Sequence, residues 1–177
     1  IYKSGNDAAN AIAYLTSGSV SAFVKDMNAK AQELGMVNTH FANAHGLHNP
    51  EHYTTARDMA ILTRYALDND LFREITLSTA YTMQATSLRD ELPIDHHYPI
   101  TDFTSKYYYP YAMGIKTGYT QMAGQCYVGA ADKDGHELIV VLMFCGTTKN
   151  EKWTEAKRLY EYGFAVLAQR DKAASGS

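Results

Sequence analysis

Three strand-like segments follow one another closely in the second half of the chain. The residue patterns predict strands over 112–120, 125–131 and 137–144. Asp132-Lys133-Asp134-Gly135 joins the last two segments, and its Asp-Gly pair is typical of a β-hairpin. These connections are far shorter than the dozen or more residues that a parallel crossover needs, so the strands must pair antiparallel. The sequence therefore predicts an antiparallel meander.

Helical patterns precede and follow this meander. The predicted helices are 6–15, 21–34, 56–68 with a further turn at 71–75, and a closing helix that starts after Asn150. Ser19 or Ser21 can cap the second helix, Gly35 can end it, and Thr55 can cap the third. The closing helix is predicted to bury Trp153, Ala156, Leu159, Tyr160 and Phe164. Helices, then a meander, then a helix define the α+β class.

The chain has 177 residues, which suits a single domain with a real core. We assign the domain to 1–168 and treat 169–177 as a disordered or linker-like tail. The segment 81–86 is predicted as a short strand, and 88–109 as a long polar excursion. The net charge of −3, with no basic block, gives no electrostatic support for nucleic-acid binding. No apolar run reaches the roughly 18–20 residues of a membrane span.

The two cysteines, Cys126 and Cys145, lie in or beside the predicted strands. If Asp132 faces His136 across the hairpin, then Cys126 faces Leu142 and Cys145 lies on the opposite face of the sheet. A shift of one residue puts both on one face, but diagonally, at roughly 7–8 Å. A disulfide needs Cβ atoms about 3.8 Å apart. Two buried thiols are therefore favoured over a disulfide.

Two other clusters have an unremarkable as well as a functional interpretation. Four histidines lie between residues 40 and 52, but no Asp, Glu or Cys set completes a metal-binding pattern, so we predict neither a metal nor another cofactor. These are His40, His45, His48 and His52. Four tyrosines precede Gly114, and they could form either a wall that faces a substrate or a packed aromatic cluster over the sheet. These are Tyr107, Tyr108, Tyr109 and Tyr111.

Lys116-Thr117-Gly118 stands inside the first predicted strand of the meander. Glycine weakens a strand, so its presence in a strand often marks a place where a ligand approaches the backbone closely. The neighbouring Lys and Thr would offer such a ligand a cation and a hydroxyl. The carboxylate of an extended peptide would suit all three groups. Alone the motif is weak, because an exposed Lys beside a turn would look the same. A second polar motif, Ser4-Gly5-Asn6, stands at the start of the first predicted helix.

Ser-x-Asn and Lys-Thr-Gly are two of the three motifs of the penicillin-recognising serine enzymes. From about Tyr2 to Phe164 the chain resembles the D-alanyl-D-alanine carboxypeptidases, which are low-molecular-mass penicillin-binding proteins. The blocks that carry this resemblance are 4–9, 23–28, 34–41, 45–47, 114–120 and 162–164. The resemblance implies a β-lactamase/transpeptidase-like fold, in which a helical cluster adjoins an antiparallel sheet with a C-terminal helix.

The third motif of that family, Ser-x-x-Lys, is absent, since no Ser in the chain has a Lys three residues later. In the family it supplies the nucleophile and precedes Ser-x-Asn. We therefore expect this chain to be the C-terminal two-thirds of a catalytic domain, with the nucleophile on an N-terminal segment outside it. The family's Ser-x-x-Lys helix is buried, and about six apolar side chains would contribute on the order of 10 kcal/mol. Net stabilities are about 5–15 kcal/mol, so we expect the isolated chain to be inactive and to fold poorly.

The resemblance also implies the roles of individual residues at the reacting bond. Ser4 would relay a proton to the leaving amine, and Asn6 would bind the acyl-side amide and orient the base. Lys116 would supply positive potential and tune Ser4. The backbone N–H of Tyr119 would donate to the oxyanion.

Further residues would bind the carboxyl end of the substrate. Thr117 would hydrogen-bond the terminal carboxylate, and Gly118 would let the substrate approach the strand. Many relatives have a carboxylate-binding Arg near the start of the closing helix. That position is filled here by Lys152, with Lys149 as the alternative; Lys is a point charge rather than a fork.

The implied function is a serine-type D-Ala-D-Ala carboxypeptidase that trims peptidoglycan stem peptides through an acyl-enzyme, is inhibited by β-lactams and acts in cell-wall biogenesis and cell shape. Its partners would be a stem peptide that ends in D-Ala-D-Ala and the N-terminal Ser-x-x-Lys fragment. Its location would be extracytoplasmic, in the cell envelope. The alternatives are a DD-endopeptidase of the same family and a non-catalytic binding or scaffold fragment. A β-lactamase is disfavoured because no Glu-bearing deacylation loop is found.

Overall fold

A computed structural model describes residues 1–95 and 97–175, and in these residues the chain forms five helices and five strands. The helices are α1 (Asn6–Ser17), α2 (Val20–Glu33), α3 (Ala56–Leu67), α4 (Asp70–Leu77) and α5 (Glu151–Ser175). The strands are β1 (Ala80–Met83), β2 (Leu92–Asp95), β3 (Ala112–Thr120), β4 (Gly124–Lys133) and β5 (His136–Leu142). None of these helices is long and apolar enough to cross a membrane.

Short polar side chains set the starts of α2, α3 and α4. The side chains of Ser19, Thr55 and Asn69 accept hydrogen bonds from backbone N–H groups in the first turns of these helices. Gly35 follows α2 with a φ of 77°, in the left-handed region where glycine carries no Cβ penalty. The first three predicted helices are thus confirmed, as are the predicted caps of the second and third, with Ser19 rather than Ser21 capping α2.

The three-stranded sheet has the order β3-β4-β5, with both pairs antiparallel, as predicted. One face packs against α5, where Tyr127 and Trp153 contact edge to face and Tyr160 and Phe164 complete the core. The other face contacts α3 and α4 through a smaller apolar cluster around Ile115. The sheet is therefore covered on both faces, and β3 forms one of its edges.

The register of the hairpin differs from the predicted one by one residue. Lys133 pairs with His136, so only Asp134 and Gly135 form the loop, and both have positive φ. This is the two-residue turn that matches the twist of the strands. Consequently Tyr127, and not Cys126, faces Leu142. Both cysteines are free thiols, and each is partly exposed rather than buried.

Two further segments and one residue differ from the sequence interpretation. The excursion 88–109 contains β2, which pairs antiparallel with β1. Residues 169–175, assigned to a disordered tail, continue α5, because Gln, Arg, Lys and Ala are good helix formers and no Gly or Pro interrupts them; residues 176 and 177 lie outside the described residues. Leu159 is 40% exposed, so it does not share the buried face of α5.

The tyrosines before Gly114 form a packed cluster. Tyr109 is buried and stacks on Tyr160 of α5, with ring centroids 5.8 Å apart. Tyr111 contacts Phe164 edge to face. The packing interpretation is therefore the one that the structure supports for these two rings, and they hold the segment before β3 against α5.

Candidate active site

The two polar motifs meet although they are 112 residues apart in the chain. The Lys116 ammonium donates to Ser4 Oγ at 2.8 Å and to the backbone carbonyl of Thr117 at 2.7 Å. Lys116 extends from β3, and Ser4 lies two residues before α1. The contact brings the start of the helical part of the fold to the edge of the sheet.

The contact between Lys116 and Ser4 fixes the direction of hydrogen bonding. An ammonium group only donates, so the Ser4 oxygen accepts and its own hydroxyl hydrogen is free to point elsewhere. Burial lowers the pKa of Lys116 from its usual value of 10.5, which makes the ammonium a readier proton donor. Ser4 also has a φ of 52°, which is unusual for a residue with a side chain. Such backbone strain is concentrated at functional sites.

All seven residues predicted for the site line one or both of two adjoining cavities. The first has a volume of about 520 Å³ and includes Asn6 at the start of α1, together with apolar side chains such as Phe41 and Val141. The second, of about 710 Å³, includes Lys152. The residues shared by both are Ser4, Lys116, Thr117, Gly118 and Tyr119.

The edge position of β3 makes the site accessible to an extended peptide. Gly118 is exposed, and a Cβ built on it would meet only Cys126 Cβ, at 3.9 Å. The side chain of Tyr119 is 60% exposed. An unpaired strand edge presents backbone donors and acceptors that a peptide strand can use.

A buried tyrosine supports the Lys-Thr-Gly segment from behind. Tyr98 donates its phenol hydrogen to the carbonyl of Ile115 at 3.2 Å, and its hydroxyl lies beside Thr117. Burial raises the pKa of Tyr98 to about 12, so the phenol keeps its hydrogen. The ring passes so close to Gly114 that a Cβ there would lie 2.1 Å from it.

A bulge in β3 accompanies this arrangement. Gly114 pairs with Gly129 and Lys116 with Val128, so Ile115 is the extra residue between them. Ile115 is buried in the cluster with Leu67 and Ala130. Bulges re-aim the side chains that follow them, and here the residue that follows is Lys116.

The loop 38–54 forms the opposite wall of the first cavity and is held by a buried carboxylate. Asp58 Oδ2 accepts from the Asn38 N–H and the Thr39 hydroxyl, both at 2.8 Å. Burial raises the pKa of Asp58, but the hydrogen bonds from Thr39, Asn38 and Thr55 outweigh it, and the pKa is lowered overall. The Asn28 side chain fixes Phe41 through two backbone hydrogen bonds.

Two histidines of this loop stabilise its backbone through hydrogen bonds. His52 Nδ1 accepts from the Ala42 N–H, and His45 Nδ1 accepts from the Leu47 N–H. Burial, with smaller effects from His40 and His45, lowers the pKa of His52 and favours the neutral ring that this contact needs. Within 1–95 and 97–175, no group of three or more His, Cys, Asp or Glu side chains is arranged to hold a metal ion.

Lys152 lies deeper than the sequence interpretation assumed. The residue is 5% exposed, and its ammonium donates to Gln125 Oε1 and to the Lys149 carbonyl. It also lies 4.9 Å from the centre of the Trp153 ring. Burial lowers its pKa, and nearby Cys145 and Lys149 have smaller effects in opposite directions. Lys149, the alternative, is exposed and lines the same cavity.

Three supporting residues were not found from the sequence. Tyr98 lies within the predicted excursion, Gln125 within a predicted strand and Asp58 within the third predicted helix. Their partners are distant in the chain, so local patterns carry no signal for these contacts. The Gly in Gly114-Ile115-Lys116 was the one usable hint, because a strand glycine marks a close approach.

Comparison with known proteins identifies the family. The family model described as D-alanyl-D-alanine carboxypeptidase matches residues 1–147. The chain belongs to the D-alanyl-D-alanine carboxypeptidase family. It is 34% identical to the D-alanyl-D-alanine carboxypeptidase DacB2 of Mycobacterium tuberculosis, over 94% of this chain and 56% of that protein. It is 36% identical to DacF of Bacillus subtilis, over 92% of this chain and 40% of that protein.

Solved structures agree with this assignment. A D-alanyl-D-alanine carboxypeptidase from Mycobacterium tuberculosis superposes with a TM-score of 0.80 and 35% identity, covering 92% of this chain and 60% of the other. A DD-transpeptidase from Streptomyces superposes with a TM-score of 0.80 and 30% identity, covering 91% and 64%. The penicillin-recognising fold is thereby confirmed. The chain spans about half the length of the curated relatives quoted above.

Proposed function

We propose that this chain supplies the Ser-x-Asn and Lys-Thr-Gly walls of a serine-type D-Ala-D-Ala carboxypeptidase. The observation that carries the proposal is the 2.8 Å hydrogen bond from Lys116 to Ser4. It joins the two motifs beside an edge strand, in a cleft that an extended peptide can enter. Family membership supports the reaction class.

The proposed reaction begins with a Ser of a Ser-x-x-Lys segment that lies outside this chain. Its oxygen adds to the carbonyl between two D-Ala residues, and the C–N bond then breaks to give an acyl-enzyme and free D-Ala. The Lys of the same segment takes the proton of the attacking Ser. Ser4 passes its own proton to the leaving amine, since its hydrogen is free while its oxygen accepts from Lys116, and recovers a proton from that Ser-x-x-Lys lysine. Water then hydrolyses the acyl-enzyme and completes the cycle.

The remaining site residues bind the substrate in this proposal. Asn6 binds the acyl-side amide, and the Tyr119 backbone N–H stabilises the oxyanion. Thr117 and the positive charge of Lys152 serve the carboxylate end, and Gly118 leaves the strand open to the peptide backbone. The substrate is a peptidoglycan stem peptide, so the site of action is the extracytoplasmic cell envelope. β-Lactams acylate the same nucleophile.

The domain assignment of 1–168 and the partnership with an N-terminal Ser-x-x-Lys segment belong to this proposal. The apolar side chains of the first cavity support the partnership. They include Phe41, Met59 and Val141, which line it beside Ser4 and Lys116. An apolar helix that carries the nucleophile would be covered there and would stabilise the fold.

The test is release of D-Ala by the chain combined with an amino-terminal Ser-x-x-Lys segment from a family relative. Release from a peptide ending in D-Ala-D-Ala, and none from one ending in D-Ala-L-Ala, is expected. Lys116→Ala should slow the release by about 10²–10³, whereas Lys172→Ala, in the last turn of α5, should not change it. Release that is indifferent to Lys116 would refute the proposed site. Cleavage of a cross-linked peptide but not of the terminal dipeptide would instead identify the endopeptidase.

A further inference from the structure

Gln125 is a buried amide at the beginning of β4, 6% exposed, that lines the second cavity together with Thr117 and Lys152. Its backbone is fixed on both sides, because its N–H donates to Gly146 and its carbonyl accepts from Cys145. Its side-chain oxygen accepts from the Lys152 ammonium. No role in the site has been assigned to it so far.

The contact with Lys152 determines which end of the Gln125 amide faces the cavity. An ammonium group has three donors and no acceptor, so the amide oxygen must point toward Lys152. The two N–H donors of Nε2 then point away from Lys152. Within residues 1–95 and 97–175 Nε2 has no hydrogen-bond partner, and it is not sealed from solvent. Its donors are therefore open to the cavity that Gln125 lines.

Thr117 is the residue proposed to hydrogen-bond the terminal carboxylate, and its hydroxyl has a single hydrogen to donate. A carboxylate has two oxygens that each accept hydrogen bonds. A second donor in the same cavity would therefore complete its binding.

The two side chains are close enough to share one carboxylate. Thr117 pairs with Tyr127 and Tyr119 pairs with Gln125, so Thr117 and Gln125 are diagonal neighbours on β3 and β4. Diagonal neighbours lie roughly 7–8 Å apart at the backbone, within reach of a long side chain. Both line the same cavity.

We infer that the Gln125 amide is a specificity-determining donor for the terminal carboxylate of the substrate, oriented by Lys152 from behind. This inference rests on the proposed function of the cleft. Lys152 is then a positioning residue rather than a direct ligand: its buried ammonium holds the amide in one orientation and adds positive potential to it. The two N–H donors of the neutral Gln125 amide, with the Lys152 cation behind them, take the place of the two parallel donors of an arginine guanidinium.

The test uses the 177-residue chain, labelled with ¹⁵N and combined with an amino-terminal Ser-x-x-Lys segment whose nucleophilic Ser is replaced by Ala. The probe is N-acetyl-D-Ala-D-Ala with either a free carboxylate or a carboxamide end. Gln125→Glu keeps an oxygen toward Lys152, and hence the fold, but replaces the donors by a second oxygen. We expect the wild-type chain to prefer the carboxylate peptide, with a shift of the Gln125 side-chain NH₂ signals. Gln125→Glu should lose about tenfold or more in affinity for that peptide alone.

The matched control is Gln121→Glu, the same change at an exposed glutamine in the β3–β4 turn, which should alter the affinity less than about twofold. Lys152→Met should also weaken the preference, and its effect should be non-additive with that of Gln125→Glu. Thermal unfolding of each variant checks that the fold is kept.

The outcomes separate this inference from the proposed function. If the wild-type chain prefers the carboxylate peptide and Gln125→Glu retains that preference, the inference is wrong while the carboxylate cleft stands. Equal binding of both peptides to the wild-type chain, or no binding of either, overturns the cleft and the inference together. Additive effects of Gln125→Glu and Lys152→Met overturn the positioning role of Lys152.

Discussion

Two glycines of β3, Gly114 and Gly118, should respond differently to an added methyl group, because Gly114 packs against the core and Gly118 faces the cleft. A Cβ on Gly118 would lie 3.9 Å from the nearest atom, Cys126 Cβ, which is an ordinary contact. A Cβ on Gly114 would lie 2.1 Å from the ring of buried Tyr98, so the ring or the strand would have to shift. Gly118→Ala and Gly114→Ala are therefore a matched pair on one strand.

The two variants should differ clearly in stability. Overpacking of a well-packed interior costs about 1–3 kcal/mol. In a domain of this size each kcal/mol lowers the Tm by about 2–4 °C, so Gly114→Ala should melt about 2–12 °C below the parent chain. Gly118→Ala should stay within about 0.5 kcal/mol of the parent, because its Cβ meets open space and one ordinary neighbour.

In acylation rate the order of the two variants should be reversed, with Gly118→Ala the more impaired. Circular dichroism gives the melting temperatures, and labelled penicillin gives the acylation rate when a Ser-x-x-Lys segment is supplied. Gly118→Ala should acylate at least about tenfold more slowly, equivalent to about 1.4 kcal/mol, because the methyl group stands where the substrate approaches the strand. Parental acylation by Gly118→Ala, or a melting temperature as low as that of Gly114→Ala, would refute this reasoning.

Three further predictions concern single contacts. With the Ser-x-x-Lys segment supplied, Lys116→Ala should slow acylation by about 10²–10³ without an equal loss of folded protein. Adding Ser4→Ala to Lys116→Ala should slow acylation by less than Ser4→Ala does alone. Rapid-quench acylation rates are compared with melting curves, and a loss of rate that tracks unfolding would contradict this prediction. Tyr98→Phe leaves the Ile115 carbonyl without its donor and should cost about 1–3 kcal/mol in urea unfolding; an unchanged midpoint would contradict it. The pKa of Asp58 is lower in the folded chain than the usual 3.8, so the stability that its carboxylate contributes is complete above 3.8 and is lost as the pH falls through the folded pKa. The stability of Asp58→Asn should therefore depend less steeply on pH during acid unfolding. An acid-unfolding profile identical to that of the parent would exclude a stabilising role for the Asp58 carboxylate.

Local chemistry made much of the fold predictable. The Asp-Gly pair and the strand patterns placed β3, β4 and β5 to within two or three residues, and Ser19 and Thr55 marked the starts of α2 and α3. The predicted register of the β4–β5 hairpin was wrong by one residue. The residues 132–135 are compatible with more than one turn, and the positive φ of Asp134 distinguishes the shorter turn. β1 matches the strand predicted at 81–86, but β2 and its pairing with β1 were not predicted, because both strands are short and mostly exposed.

The site was predictable as far as its motifs reach. Ser4 and Lys116 were assigned together, and the structure joins them directly. The depth of Lys152 was not predictable, because its burial depends on Trp153 and on a partner 27 residues away on β4. The contacts of Tyr98 and Gln125 likewise arise only when separate strands and helices pack. Such long-range polar contacts leave no periodic trace in a sequence.

The most direct test of the account is to locate the residue that penicillin acylates. Labelled penicillin is added to the 177-residue chain alone and to the chain combined with an amino-terminal Ser-x-x-Lys segment, and the adduct is found by intact mass and peptide mapping. The account predicts no adduct on the isolated chain. In the combined protein it predicts one adduct, on the Ser of Ser-x-x-Lys, which forms about 10²–10³ more slowly in Lys116→Ala. A stoichiometric adduct on any residue of the isolated chain would contradict the account.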